Sequence, residues 1–390
     1  MEKVDLSIYI HIPFCVRKCY YCDFLSAPMN EETRALYVSR LCREISLAKE
    51  ELLAYRVKTV FFGGGTPSLL EGRQILEILE CLRANADLDE EAEITIECNP
   101  GTVDQEKARL YKKAGINRIS LGLQSAQNEE LKRIGRIHTY EEFLKSYQIF
   151  REEGFHNINI DLMSALPGQS LSSYEDSLQK VVGLAPEHIS AYSLIVEEDT
   201  TLKNMLEAEK KKGKNSLPSE EEERRMYELT KEVLGEAGYE RYEISNYAKS
   251  GRECRHNLVY WTLKPYLAFG LGGSSYFEGC RFYNQRNFKD YCEILEKEDR
   301  KEVFSQLREI EEIADEKNQM EEFMFLGLRL SRGVSKKEFK EKFLKDMEEV
   351  YGRIIKEQKE QGLLVEEDGR LFLTDYGLDV SNRAMAGYLL

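Results

Sequence analysis

No apolar run in this chain of 390 residues reaches the length of a membrane span, which excludes a membrane-spanning helix. Positive charge is also in short supply. Lys and Arg number 55 against 70 Asp and Glu, a net charge of −15. That argues against a broad nucleic-acid footprint and against anchoring on an acidic membrane surface, since both need clustered positive charge. No short internal repeat shows beyond an alternation of strands and helices. Met1-Glu2-Lys3-Val4-Asp5 opens directly into a strand, with no signal peptide, so a reducing, cytoplasmic compartment is expected. Six of the nine cysteines (Cys42, Cys81, Cys98, Cys254, Cys280 and Cys292) lack ligand spacing among themselves, and most of them read as small buried residues.

The other three are grouped. Cys15, Cys19 and Cys22 stand in Tyr9-Ile10-His11-Ile12-Pro13-Phe14-Cys15-Val16-Arg17-Lys18-Cys19-Tyr20-Tyr21-Cys22. Three thiolates at this spacing suit a [4Fe-4S] cluster with one iron left open. An open coordination position is a reactive one, as in catalytic as against structural metal sites. A zinc loop with a remote fourth ligand is the ordinary alternative. The CxxxCxxC spacing resembles the signature of radical S-adenosylmethionine (SAM) proteins, which implies that the open iron takes SAM.

From the start to about residue 240 the chain alternates strand and helix. Strands are expected at Leu6–Ile10, Val57–Phe62, Glu93–Glu97, Arg118–Leu123, Asn157–Leu162 and His188–Leu194. Helices are expected at Glu31–Leu53, Gly72–Ala86, Val103–Ala114, Glu129–Ile134, Tyr140–Glu153, Leu171–Gly183 and Pro218–Ala237. Six βα units in a row predict an α/β fold, a parallel sheet curled into a partial or complete barrel. Such barrels carry chemistry on the loops after their strands. The cysteine loop follows the first strand and Gly63-Gly64-Gly65-Thr66 the second. Glu97 ends the third, Gln124 follows the fourth, Asp161 ends the fifth, and Tyr192 and Ser193 end the sixth.

Consecutive glycines let a backbone approach a ligand closely, and their N–H groups can hold a carboxylate. An ordinary tight turn is the competing account. Glu97 and Asp161 stand where ribose hydroxyls or an ammonium could be held, or are solvated loop carboxylates or helix caps. Arg136, in Arg133-Ile134-Gly135-Arg136, reads equally as a surface cation.

Three segments carry a narrower likeness. Tyr9-Ile10-His11-Ile12-Pro13-Phe14-Cys15, Gly63-Gly64-Gly65-Thr66-Pro67-Ser68, and Asn159-Ile160-Asp161-Leu162-Met163 with Leu166-Pro167-Gly168-Gln169 resemble the HemN-type radical SAM proteins. That group includes oxygen-independent coproporphyrinogen III dehydrogenases, heme chaperones of the HemW type, and heme-degrading relatives. The likeness runs along essentially the whole chain, including Glu321–Ser335, which looks like the family's C-terminal domain. It implies that Cys15, Cys19 and Cys22 hold the cluster. It implies that Tyr9, Tyr21, Gly64, Gly65, Thr66, Glu97, Gln124, Arg136 and Asp161 contact SAM.

Two features divide the family. The dehydrogenases resemble this chain but continue as CxxxCxxCxC, whereas Cys22-Asp23-Phe24 has phenylalanine at the extra position. His256-Asn257-Leu258-Val259-Tyr260-Trp261, holding the only tryptophan, matches the HNxxYW motif of the heme-chaperone branch. The resemblance therefore implies a heme chaperone binding cluster, SAM and heme, and passing heme to an acceptor protein, respiratory ones included, with transient membrane association through that acceptor. A radical SAM enzyme acting on a tetrapyrrole is the alternative. His256, Tyr260 and Trp261 are the expected heme contacts. An imidazole is a common axial ligand and the aromatics offer flat apolar surfaces. A strand of ordinary core aromatics with a hydrogen-bonded His256 is the competing account. Cys254 is a weaker heme candidate.

The tail differs in texture. Residues 296–318 are charge-rich, and Glu309–Ile313 suggests a solvated helix. Glu321–Leu330, Lys336–Leu344 and Val350–Gln361 read as helices, followed by a hairpin over Gly362–Leu373 turning at Asp368-Gly369. The arrangement is winged-helix-like, expected to act as a lid or docking surface. Glu207–Leu217 is expected to be an exposed loop. The expected organisation is a radical SAM core over residues 1–240, a sheet extension over 241–300 and a small α+β C-terminal domain over 301–390.

Overall fold

The computed structural model describes residues 3–390, so Met1 and Glu2 of the expected opening segment lie outside the described residues. Six strands run parallel and side by side in chain order: β1 Val4–Ile12, β2 Tyr55–Gly64, β3 Leu88–Cys98, β4 Arg118–Gln124, β5 Ile158–Ser164 and β6 His188–Ser193. They form because each carries a run of apolar residues long enough to bury both faces, as parallel sheets require. β4 is buried along its whole length. Helices Glu31–Leu47, Gly72–Asn85, Gln105–Ala114, Tyr140–Glu152, Leu171–Gly183 and Glu220–Glu236 alternate with the strands. Asn30, Asp104, Thr139, Ser170 and Ser219 cap five of them by accepting from a backbone N–H inside the first turn. Their apolar faces and the strands share one core, in which side chains such as Ile75, Leu79, Ile96 and Leu121 are inaccessible to solvent. Each such buried aliphatic side chain contributes about 1.5–3 kcal/mol.

The arc does not close. β7 Glu240–Arg241 and β8 Asn246–Ala248 extend it beyond β6, while β9 Tyr266–Phe269, β10 Ser274–Phe277, β11 Cys280–Asn284 and β12 Arg308–Ile313 extend it beyond β1. β9 is parallel to β1, and the strands beyond it are antiparallel. The sheet has twelve strands, ending in β12 on one side and β7 on the other. The expected partial barrel with an extended sheet is what forms.

Three local expectations are corrected. Glu309–Ile313 is strand β12, not a helix: Ile310 and Ile313 pair with Phe282 and Cys280 of β11. Partner hydrogen bonds from a neighbouring edge override the helical spacing of its apolar residues. Glu207–Leu217 is not all loop, because helix Thr201–Lys211, capped by Thr200, occupies its first part. The expected helix Glu31–Leu53 breaks at Ala48 into Glu31–Leu47 and Lys49–Leu53.

The C-terminal unit has its own core, from Met320 and Met324 through Phe339 and Tyr351 to Tyr388. Helices Glu316–Gly327, Lys336–Phe343 and Met347–Glu360 precede a sheet of β13 Val334–Ser335, β14 Leu364–Glu367 and β15 Arg370–Leu373. The β14–β15 turn places Asp368 and Gly369 at φ 49° and 73°, the pair of positive values an Asp-Gly hairpin turn needs. Helix Arg300–Leu307 and β12, expected with this unit, belong instead to the core and sheet of the main body.

Candidate functional site

Loops at the C-terminal ends of β1 to β6 converge on a cavity of about 350 Å³. Its wall carries Cys15, Cys19 and Cys22 from the loop after β1, and Gly64, Gly65 and Thr66 from the end of β2. Tyr21, Glu97, Gln124, Arg136 and Asp161 complete it. Every residue expected at the cluster and SAM site lines this one cavity except Tyr9. Tyr9 lies on the wall of an adjoining hollow that shares Gly64 and Glu97.

The glycine turn is built for close approach. Gly64 adopts φ 112°, and a Cβ there would sit 2.6 Å from the His11 ring. A Cβ on Gly65 would sit 2.6 Å from the Phe14 carbonyl oxygen. Both positions therefore exclude side chains on steric grounds. The Gly64 N–H donates to Glu97 Oε2 at 3.2 Å. His11 is locked beneath, with one ring nitrogen 3.1 Å from Tyr9 Oη and the other 3.0 Å from the Leu25 carbonyl.

Arg136 is not a surface cation. Its guanidinium donates to Asn99 Oδ1 at 2.8 Å and to the Gly122 carbonyl at 2.5 Å, and it reaches Cys19 Sγ at 3.7 Å. Asn99 in turn donates to Thr66 Oγ1 at 2.7 Å, and Thr66 Oγ1 lies 3.7 Å from Cys15 Sγ. Asn99 was not legible as a site residue. Its only signal is its position directly after β3, beside Glu97. Arg136 Nε is buried with no partner. Gln124 holds φ 72°, unusual for a residue with a side chain, and accepts from Tyr192 Oη at 2.9 Å.

Two carboxyls face this cavity with raised affinity for protons. Burial pushes Glu97 up to about 8, the nearby Asp161 charge adds to this, and the Gly64 N–H opposes it. Burial also raises Asp161, against the pull of Asn159, which donates to it at 2.7 Å. An enclosed pair of carboxyls beside a buried guanidinium suits a ligand carrying an ammonium and hydroxyl groups.

The donor set fits an iron-sulfur cluster. Cys15, Cys19 and Cys22 all line one cavity. A cubane takes each thiolate on a different iron, so three thiols facing one space suit three of its irons. Burial holds the Cys22 thiol up at about 11, so that metal binding would displace a proton there.

The HNxxYW residues lie elsewhere. They form helix Arg255–Trp261, not a strand. His256 is 1% exposed and both ring nitrogens are engaged, at 2.7 Å from Thr59 Oγ1 and 2.8 Å from Tyr260 Oη. Burial, aided by the Arg118 charge, pushes it down to about 3, so it is a neutral core imidazole. Glu93 accepts from the His256 and Arg255 N–H groups, tying down the helix start. Trp261 packs under the Arg329 guanidinium, 4.4 Å from its ring centre, and so joins the barrel to the C-terminal unit. Cys254, inaccessible to solvent, flanks the helix start against Glu93.

Comparison with known proteins agrees with this geometry. Residues 9–181 match the radical SAM superfamily and residues 314–380 the HemN C-terminal domain. The heme chaperone HemW of Bacillus subtilis (strain 168) is 37% identical over 392 residues, covering 98% of this chain and 99% of that protein. The chain belongs to the HemW family of radical SAM proteins. The HemW protein of Lactococcus lactis is 36% identical, covering 98% of this chain and 97% of its own length. The Escherichia coli member is 40% identical over 268 residues, 68% of this chain and 69% of that one. In structure, the coproporphyrinogen III oxidase HemN of Escherichia coli superposes with a TM-score of 0.84 at 21% identity, covering 99% of this chain and 90% of that one. That likeness shows that the HemW-family chain shares the HemN fold. No helix among the described residues is long and apolar enough to cross a membrane.

Proposed function

We propose that this HemW-family protein is a heme chaperone: it binds a [4Fe-4S] cluster, SAM and heme, and hands heme to an acceptor protein in the cytoplasm. The observation that carries the reading is likeness along the whole chain to proteins named heme chaperone HemW, joined to a barrel rim on which the expected cluster and SAM residues converge. Cys15, Cys19 and Cys22 hold the cluster. Gly64 and Gly65 admit the amino-acid end of SAM to close range, while Glu97 and Asp161 receive its ammonium and hydroxyl groups. Arg136 fixes Thr66 through Asn99 and places positive charge beside Cys19. When bound, the cluster and SAM together supply one-electron chemistry. Phe24 stands where the resembling dehydrogenases carry a further cysteine, which favours transfer of heme over oxidation of a porphyrinogen.

The test is anaerobic reconstitution, then hemin titration, hemin transfer to an apoprotein acceptor, and a coproporphyrinogen III assay. Hemin bound and transferred, with no protoporphyrinogen formed, is the expected result. Turnover of coproporphyrinogen at even about one per second, near the low end for enzymes, would overturn it.

A further inference from the structure

The heme-chaperone reading leaves open where the ring would sit, and the HNxxYW helix offers no free imidazole for it. A hollow next to the SAM cavity has the required properties. It measures about 730 Å³, within the range of small-molecule sites, and shares Gly64, Glu97, Asp23 and Phe24 with the cavity that holds the cysteines.

Its walls are amphipathic in a particular way. Phe24 is 60% exposed and Leu25 38% exposed, large apolar side chains left open on a strongly charged chain. Lys18 comes in from the cysteine loop and Arg286 from the segment after β11. Neither makes an ion pair among the described residues, although many cations elsewhere in the fold are paired. Arg286 is held in place by its stack over Tyr283, 4.1 Å from the ring centre. Two carboxyls also face the hollow. Glu97 stays largely protonated near neutrality, and Asp23 lies on the exposed lip. An apolar platform flanked by two free cations suits a flat apolar macrocycle that carries carboxylates.

A smaller space beside the HNxxYW helix is the competitor. It measures about 320 Å³ and is lined by Tyr260, Tyr266, Tyr276 and Arg281. Arg281 is already bonded to Glu322 at 2.7 Å, which leaves Lys264 as the only cation there free to meet a carboxylate among the described residues.

We propose that the hollow lined by Phe24, Lys18 and Arg286 seats the porphyrin cargo, with the two cations receiving its carboxylates and Phe24 covering a ring face. This rests on the heme-chaperone reading. The test uses the reconstituted full chain, with cluster content and SAM affinity matched between variants, and follows hemin binding through its Soret band. Arg286→Glu and Lys18→Glu should each weaken hemin roughly tenfold, because attraction to a carboxylate becomes repulsion. Ser274→Trp, at an exposed position of β10, should weaken it comparably by filling the hollow. Tyr260→Ala should leave it unchanged. Hemin dimethyl ester should bind wild type and Arg286→Glu alike. Hemin affinity equal to wild type in all three hollow variants, or lost in Tyr260→Ala alone, overturns the seat while leaving the chaperone reading standing. A wild-type protein that binds no hemin overturns both.

Discussion

The rim of the barrel and the HNxxYW helix are both rich in polar and aromatic side chains, yet they treat those groups in opposite ways. On the rim, polar atoms are left over: Arg136 Nε has no partner, and Glu97 and Asp161 face a cavity with raised affinity for protons. Around His256 the ring is fully engaged, since Thr59, Tyr260 and Glu93 satisfy the imidazole and the backbone beside it. Buried polar groups without partners cost free energy, so a fold retains them where a ligand completes them. Buried polar groups with all partners present hold elements together. Trp261 Nε1 is also buried without a partner. What separates the two regions is therefore that Glu97, Asp161 and Arg136 line an open cavity, while the His256 ring is enclosed by Thr59 and Tyr260. The rim is the site and the helix is a joint.

The comparison breaks first, and by the largest effect, at the cysteines. Cys15→Ala should reduce iron after reconstitution to background and abolish the cluster absorbance. A full cluster in that variant would remove the rim from consideration. Next comes the glycine turn. Gly64→Val forces a branched side chain onto φ 112° and into the His11 ring. SAM affinity by isothermal titration should fall by about a hundredfold with cluster content retained. Unchanged affinity would place SAM elsewhere.

These two regions also show what a sequence can and cannot disclose. Cys15, Gly64, Glu97 and Asp161 were legible because a βα barrel brings the ends of its strands together wherever they fall in the chain. Strand-end position marked them as candidates, but the carboxylates and above all Arg136, which follows a helix, were assigned to SAM only through the family resemblance. Asn99, which links Arg136 to Thr66, lacked any motif, and its role exists only once β3 and β4 are side by side. The HNxxYW residues have the composition of a heme site. Whether an imidazole faces a ligand or the core depends on which way a seven-residue helix is turned, and the Glu93 carboxylate on another strand decides that. β12 was misread for a related reason. Its isoleucines suggested a helix face, but pairing with β11 settles its backbone.

His256→Ala sharpens the comparison from the other side. It deletes a buried ring and leaves Tyr260 Oη without its partner, while Thr59 Oγ1 keeps its bond to Ser7 Oγ. Lost packing and the unsatisfied hydroxyl together should cost about 2–4 kcal/mol in stability. Denaturant unfolding of the wild type and the variant measures this directly. Protein that does fold should bind hemin as wild type does. An undiminished stability with a lost Soret shift would return His256 to the heme site. Trp261→Phe should cost less, about 0.5–1 kcal/mol, since a ring remains under Arg329.

The effect most specific to the rim depends on pH. Glu97 has an ordinary value of 4.5 and is held at about 8 in the fold, chiefly by burial. Between those values the unfolded chain has lost the proton while the folded chain keeps it. Folding then takes up a proton, and stability contributed by the neutral carboxyl is lost as pH rises through this window. Glu97→Gln keeps the shape and removes the titration. In protein without SAM, the variant should gain stability relative to wild type as pH goes from 5 to 8, by an amount on the order of 3 kcal/mol. Buried His256 and His138, both held near 3, act with the opposite sign. Their unfolded forms take up protons from the ordinary value of 6.5 downward while the folded forms stay neutral to about 3, so they destabilise the fold as pH falls through that window. They contribute equally to both proteins, and the difference between wild type and Glu97→Gln isolates the rim carboxyl. A difference that stays constant across pH 5 to 8 would mean that Glu97 is ionised in the empty site, and that the rim is not the enclosed, proton-retaining surface set against the closed helix.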